Sequence, residues 1–163
     1  MITHQKESTT KKNFQTILIS TLLVAVLDIL AASVVFNLWF KMTPIQVFQF
    51  IASSVYGQEA FDGSISKILA GMVIHLITSF IIAAVYFYGY PKIRLLSKSP
   101  IASGCIYGFG FWVIMNLLII PNTHIAPSPF NLGLALTSIA WHMILVGLPV
   151  AIITAKHYKK YHE

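Results

Sequence analysis

The chain has 163 residues, of which 56% are hydrophobic and only 10% are charged, and its formal net charge is +6. Soluble domains carry about 25% charged residues, so this composition excludes an ordinary soluble globule and predicts an integral membrane protein with one domain. The basic residues are explained better by membrane topology than by a nucleic-acid partner, and no nucleic-acid binding is expected. The single cysteine, Cys105, excludes an internal disulfide.

The first predicted element is a spanning helix over residues 14–40, preceded by a polar, frayed cytoplasmic tail of residues 1–13. The apolar run exceeds the roughly 20 residues that a membrane helix needs, and it is much longer than the core of a signal peptide. It contains one charged residue, Asp28. A carboxylate near the bilayer centre costs roughly 2.5–3.5 kcal/mol on insertion scales, so Asp28 is expected to face a partner or a water-filled cavity.

A short helix is predicted next, over residues 44–56. Thr43 suits the capping position, Pro44 the first helical position and Gln46 the capping box, while Gly57 is a typical helix stop. At 1.5 Å per residue this helix is only about 20 Å long, too short to cross the membrane. We expect it in the outer interface or as a re-entrant segment, and we favour the interface because a re-entrant backbone must be shielded by protein.

Three further spanning helices are predicted, over residues 65–90, 101–120 and 132–155, before a basic cytoplasmic tail of residues 156–163. Nine basic residues lie in the two tails and in the link between the second and third spans, against two in the opposite loops. The positive-inside rule then places both termini in the cytoplasm. The predicted fold class is an all-α membrane protein with four transmembrane helices plus one short interfacial or re-entrant helix on the outer side.

Small and polar residues indicate which helix faces meet, because lipid does not drive apolar helices together. Gly104 and Gly108 form a Gly-x-x-x-Gly pair on the third span, which favours close helix packing within the chain or in a homo-oligomer. The other three spans carry Asp28, His75 and His142 on the faces that we expect to point inward.

These three residues are predicted to form a buried polar cluster near the bilayer midplane. Helix rise places Asp28, His75 and His142 about 18, 12 and 15 Å below the outer ends of their helices. At least one pair is expected within direct or water-bridged reach. A second polar layer, edging a narrow outer cavity above the histidines, is predicted from three amide side chains: Asn37, Asn116 and Gln49.

Three roles are open for the buried polar cluster. It could be structural, with cross-helix hydrogen bonds worth about 0.6 kcal/mol each on average. It could be a proton-linked pathway for a small solute or ion, because intramembrane acids and histidines mark pumps and transporters. It could also bind metal or haem, since two histidines and a carboxylate match a facial triad and paired histidines ligate haem. No cofactor is assigned, and a non-enzymatic role is favoured.

Several short motifs in the second half of the chain carry a family resemblance. They are HLITSF at 75–80, YPKIRL at 90–95, Gly104, PSPFNL at 127–132, and His142-Met143 before a basic tail. With them the chain resembles the YagU-like family of uncharacterised bacterial inner-membrane proteins. The amino-terminal half, including Asp28, departs from that pattern. The resemblance implies a bacterial inner-membrane location and a link to acid resistance, and it supplies no catalytic residues.

Overall fold

The computed structural model describes the backbone of residues 2–161 and the side chains of residues 10–161, and this part of the chain is helical with no strand. Four of its helices are long and apolar enough to cross a membrane. They are Thr10–Phe40, Ile65–Gly89, Pro100–Asn122 and Leu132–Tyr161. The all-α membrane fold predicted from the sequence is therefore confirmed.

Helix α1 (Ile2–Phe40) is longer than the sequence indicates. It begins at Ile2, so the stretch expected to be a frayed tail continues the helix. Polar contacts with the end of the chain accompany this extension, since the side chains of Asn13 and Thr16 both meet His157 at 2.7 Å. The side chains of the first nine residues lie outside the described part.

Helix α2 (Pro44–Tyr56) starts with the capping box that the sequence predicts. The backbone N–H of Thr43 donates to the Gln46 side chain at 2.8 Å, and the Gln46 N–H donates to the Thr43 hydroxyl at 3.3 Å. The helix packs closely on α3 (Ile65–Gly89) near the start of α3, where a methyl group on Gly71 would overlap the backbone of Phe48. α2 is thus partly buried against the bundle and keeps exposed positions such as Val55.

The second half of the chain forms two spans, each with an irregular turn. A short helix α4 (Arg94–Lys98) leads into α5 (Pro100–Ile114), which continues through a π-helical turn at Met115–Ile119. The last span consists of α6 (Leu132–Trp141), a π-helical segment at His142–Gly147, and α7 (Leu148–Tyr161). Each π-helical stretch ends two residues before a proline, Pro121 or Pro149, which has no N–H for the regular helical hydrogen bond.

Glycines bring α5 and the last span into backbone contact. A methyl group on Gly108 would overlap the carbonyl of His142, and one on Gly147 would overlap the backbone of Gly104. The predicted glycine pair therefore packs inside the chain.

Towards the end of the bundle that carries both chain ends, the core is apolar and fully buried. Its members are Val24, Ile82, Tyr86, Val146, Val150 and Ala151.

Candidate functional site

Asp28 lies where α1, α3 and the π-helical segment of the last span meet. Its Oδ1 accepts a hydrogen bond from Trp141 Nε1 at 2.9 Å and lies 3.9 Å from His142 Nε2. Its Oδ2 lies 4.0 Å from His75 Nδ1. The Asp28 side chain is 21% exposed, and the two histidine side chains are 10% and 12% exposed. The structure thus brings together all three residues that the sequence places at the midplane.

Backbone carbonyls determine which nitrogen of each histidine carries a hydrogen. His75 Nε2 lies 2.9 Å from the carbonyl oxygen of Ala25, and His142 Nδ1 lies 2.6 Å from that of Ser138. A carbonyl oxygen only accepts, so each of these nitrogens is assigned as the donor. In a neutral imidazole the other nitrogen then carries a lone pair. Those other nitrogens are the ones that face Asp28.

In the neutral tautomer, two ring nitrogens without a hydrogen therefore converge on one carboxyl group. The separations of 3.9 and 4.0 Å exceed the usual hydrogen-bond length of about 2.7–3.2 Å. Asp28 and the two histidines therefore lie close together without a direct hydrogen bond between them.

Trp141 belongs to this site, and the sequence reasoning missed it. Besides its hydrogen bond to Asp28, its ring stacks on His142 with centroids 5.0 Å apart. Neighbouring residues on a regular helix point about 100° apart, so a search for residues three or four positions apart finds His142 and passes over Trp141. Both reach Asp28 at the start of the π-helical segment. The sequence feature that could have identified Trp141 is an indole N–H donor directly before a histidine predicted at the midplane.

The three outer amides do not form the expected layer. Asn37 donates to the Met42 carbonyl at 3.2 Å, just beyond the end of α1, and Asn116 donates to Trp112 of its own span at 3.0 Å. Gln49 of α2 is buried, and among the described residues no hydrogen bond joins it to Asn37 or Asn116. An outer cavity of about 340 Å³ has another lining: Phe50, Ser53, Gly57, Gln58, Phe61 and Ala126.

The metal hypothesis finds no support in the geometry. Among the described residues no group of three His, Cys, Asp or Glu side chains is arranged to hold a metal ion. The two histidines approach different oxygens of Asp28, and one of these oxygens is already bonded to Trp141.

A second buried polar cluster, around the single histidine His157, lies at the other end of α7. His157 is only 4% exposed, and its ring packs 5.0 Å from that of Phe87. Its Nδ1 meets the Thr16 hydroxyl and its Nε2 meets the Asn13 amide oxygen, both at 2.7 Å. The Thr16 hydroxyl in turn donates to the Lys12 carbonyl at 3.0 Å. The sequence reasoning missed this cluster because it assigned residues 156–163 to an exposed tail.

Comparison with known proteins gives no relative. No family model matches the chain, and neither a curated protein nor a solved structure matches it significantly. The resemblance to the YagU-like family stays a prediction, and functional conclusions depend on the residues themselves.

Proposed function

We propose that this chain is a bacterial inner-membrane protein that binds protons at Asp28, His75 and His142 and passes them along a proton-linked pathway for a small solute or ion. The observation that carries the proposal is the orientation of the two imidazoles. Each donates its N–H to a backbone carbonyl and turns its basic nitrogen towards the same carboxyl group. Four helices that are long and apolar enough to span a membrane support a location of this site within a bilayer.

The same orientation argues against a purely structural cluster. A cluster that only held helices together would direct histidine N–H groups at the carboxylate, because that is how a buried acid is satisfied. Among the described residues only Trp141 donates a hydrogen bond to Asp28, while in the neutral tautomer the two histidines present lone pairs to it. An acid within the membrane is costly to insert. An arrangement that gives this acid few hydrogen-bond donors therefore favours a functional role over a structural one.

Orientation and physiological role complete the proposal. Nine of the eleven basic residues lie in the two terminal segments and the link between α3 and α5, so we place both termini in the cytoplasm. The YagU-like resemblance connects proton uptake to acid resistance. A homo-oligomer through Gly104 and Gly108 is not included, because the last span of the same chain covers both glycines.

The decisive experiment separates proton transfer from folding. His75→Gln keeps a donor near the Nε2 position, and His142→Asn keeps one near the Nδ1 position, while each removes the nitrogen that faces Asp28. Asp28→Asn keeps an acceptor for Trp141 and removes the charge. We expect all three variants to unfold close to the parent temperature in detergent and to lose proton flux in liposomes loaded with a pH-sensitive dye.

His124→Gln provides the matched control, since His124 is an exposed histidine on the outer loop. It should keep both stability and flux. Survival at low pH should follow the flux values across the set. Parent protein with no flux above empty liposomes would refute the proposal. Variants that lose stability and flux together would favour the structural role.

A further inference from the structure

A groove opens at the end of the bundle that carries the basic residues. Its volume is about 460 Å³, within the range typical of small-molecule sites. Residues from the α3–α4 turn, α4, the start of α5 and the end of α7 line it. They are Tyr90, Ser97, Pro100, Ala155, Lys156, Tyr158 and Lys159.

The groove lies where three helices that are able to span a membrane have their ends. Tyr90 directly follows the last residue of α3, and Pro100 is the first residue of the third span. Lys156 and Lys159 lie in the final turns of the last span, which ends at Tyr161. In a bilayer this groove would therefore lie near the level of the lipid head groups.

Charge and shape define what the groove would hold. Lys156 and Lys159 are exposed and share a face of α7, being three residues apart. The ion pairs of the described residues involve only Asp28 with two histidines, so no described carboxylate neutralises these lysines. Beside them the rings of Tyr90 and Tyr158 stack with centroids 5.0 Å apart, which provides an amphipathic wall.

We propose that this groove binds the head group of an anionic phospholipid. The two ammonium groups would pair with the phosphate, and the glycerol portion would rest against the tyrosine wall. A lipid is present at the edge of the hydrocarbon layer at high local concentration, whereas a soluble phosphate compound is not. The proposal depends only on membrane insertion and is independent of the proton site.

The test compares two pairs of lysines at the same end of the bundle. Lys156→Gln/Lys159→Gln removes both groove lysines. Lys12→Gln/Lys160→Gln removes the same charge outside the groove, from two lysines that lie over the Tyr161 ring at 4.6 and 5.2 Å. The probes are dioleoylphosphatidylglycerol and dioleoylphosphatidylcholine, added to the full chain in detergent. Retained lipid is measured by native mass spectrometry and the unfolding temperature by thermal shift.

We expect the phosphatidylglycerol lipid to bind and stabilise the parent and the Lys12/Lys160 variant, and the phosphatidylcholine lipid to do neither. The groove variant should bind about thirty-fold more weakly, since each basic residue near an anionic surface strengthens binding about five-fold. Lys156→Arg/Lys159→Arg should restore binding, and it covers the case in which the glutamine variant folds poorly. Equal losses in both glutamine variants, equal binding of the two lipids, or full displacement by inorganic phosphate would overturn the proposal.

Discussion

At Asp28, the carboxyl group accepts one hydrogen bond among the described residues, from Trp141, and lies within 4.0 Å of two imidazoles. The indole hydrogen bond leaves Oδ2 without a direct donor. That oxygen faces His75, the histidine on α3, so a proton bound there would lie between α1 and α3. The other oxygen is shared by Trp141 and His142. The tryptophan thereby positions the carboxyl group between the two histidines.

Trp141→Phe should test this positioning role. The substitution keeps an aromatic ring beside His142 and removes the hydrogen bond to Asp28. A hydrogen bond to a charged group contributes roughly 1.5–3 kcal/mol, so the unfolding temperature should fall and the proton flux should fall with it. Detergent melting and the liposome assay measure the two effects.

Trp112→Phe is the matched control for that change. Trp112 Nε1 donates to the Ser138 hydroxyl at 2.7 Å, and a neutral hydrogen bond contributes roughly 0.5–1.5 kcal/mol. This variant should lose some stability and keep its proton flux. Loss of flux in both variants would mean that general loosening, and not the position of Asp28, controls transport.

Sequence reasoning reached these residues only in part, for identifiable reasons. Asp28, His75 and His142 stand out because charged or titratable groups are rare in apolar runs and helix rise converts sequence position into depth. Trp141 does not stand out, because an aromatic residue in a membrane helix has many ordinary uses. His157 looks like part of a polar tail until its partners on α1 are known. Such pairings depend on helix rotation, which a single sequence does not contain.

At the scale of helices, the contact between α5 and the last span depends on the absence of side chains. Gly104, Gly108 and Gly147 let the two backbones touch beside His142. Close approach of this kind is a main source of helix association in lipid, where burial of apolar surface contributes little. The backbone of His142 is therefore held by packing as well as by its own helix.

Gly108→Ala should destabilise the bundle. The added methyl group would overlap the His142 carbonyl, and overpacking of this kind costs typically about 1–3 kcal/mol. Gly110→Ala, on the same helix, is the control, because nothing lies within 4 Å of the position that its methyl group would take. That variant should be neutral or slightly more stable, since alanine favours helix over glycine by up to about 1 kcal/mol. Equal melting temperatures for the two variants would contradict the packing argument.

Element boundaries follow the sequence where local chemistry sets them. The start of α2 was predictable because Thr43, Pro44 and Gln46 act on neighbouring backbone groups. The π-helical turns were not predicted, although Pro121 and Pro149 mark where regular hydrogen bonding must fail. The hydrogen-bonding pattern that a helix adopts before such a proline depends on its neighbours. In the last span the π-helical segment begins at His142.

Across the whole molecule, the two buried polar clusters, around Asp28 and around His157, lie at different depths along α1 and the last span. His142 and His157 are fifteen residues apart, or about 22 Å along the last span. Between them Val24, Val146 and Val150 are fully buried. On the proposed function, a proton held at Asp28 would have to cross this apolar layer to reach the basic end, and the layer would have to separate for it to pass.

The direction of such a pathway depends on orientation, which fusion reporters can establish. The basic end carries most of the lysine and arginine residues, so we expect it in the cytoplasm. Green fluorescent protein fused after Ser97 should fluoresce, and alkaline phosphatase fused after Thr123 should be active because that enzyme folds only outside. A phosphatase fusion after Gly63, in the loop before α3, should agree with the one after Thr123. Phosphatase activity at Ser97 would reverse the topology and place the lysine groove on the outer face.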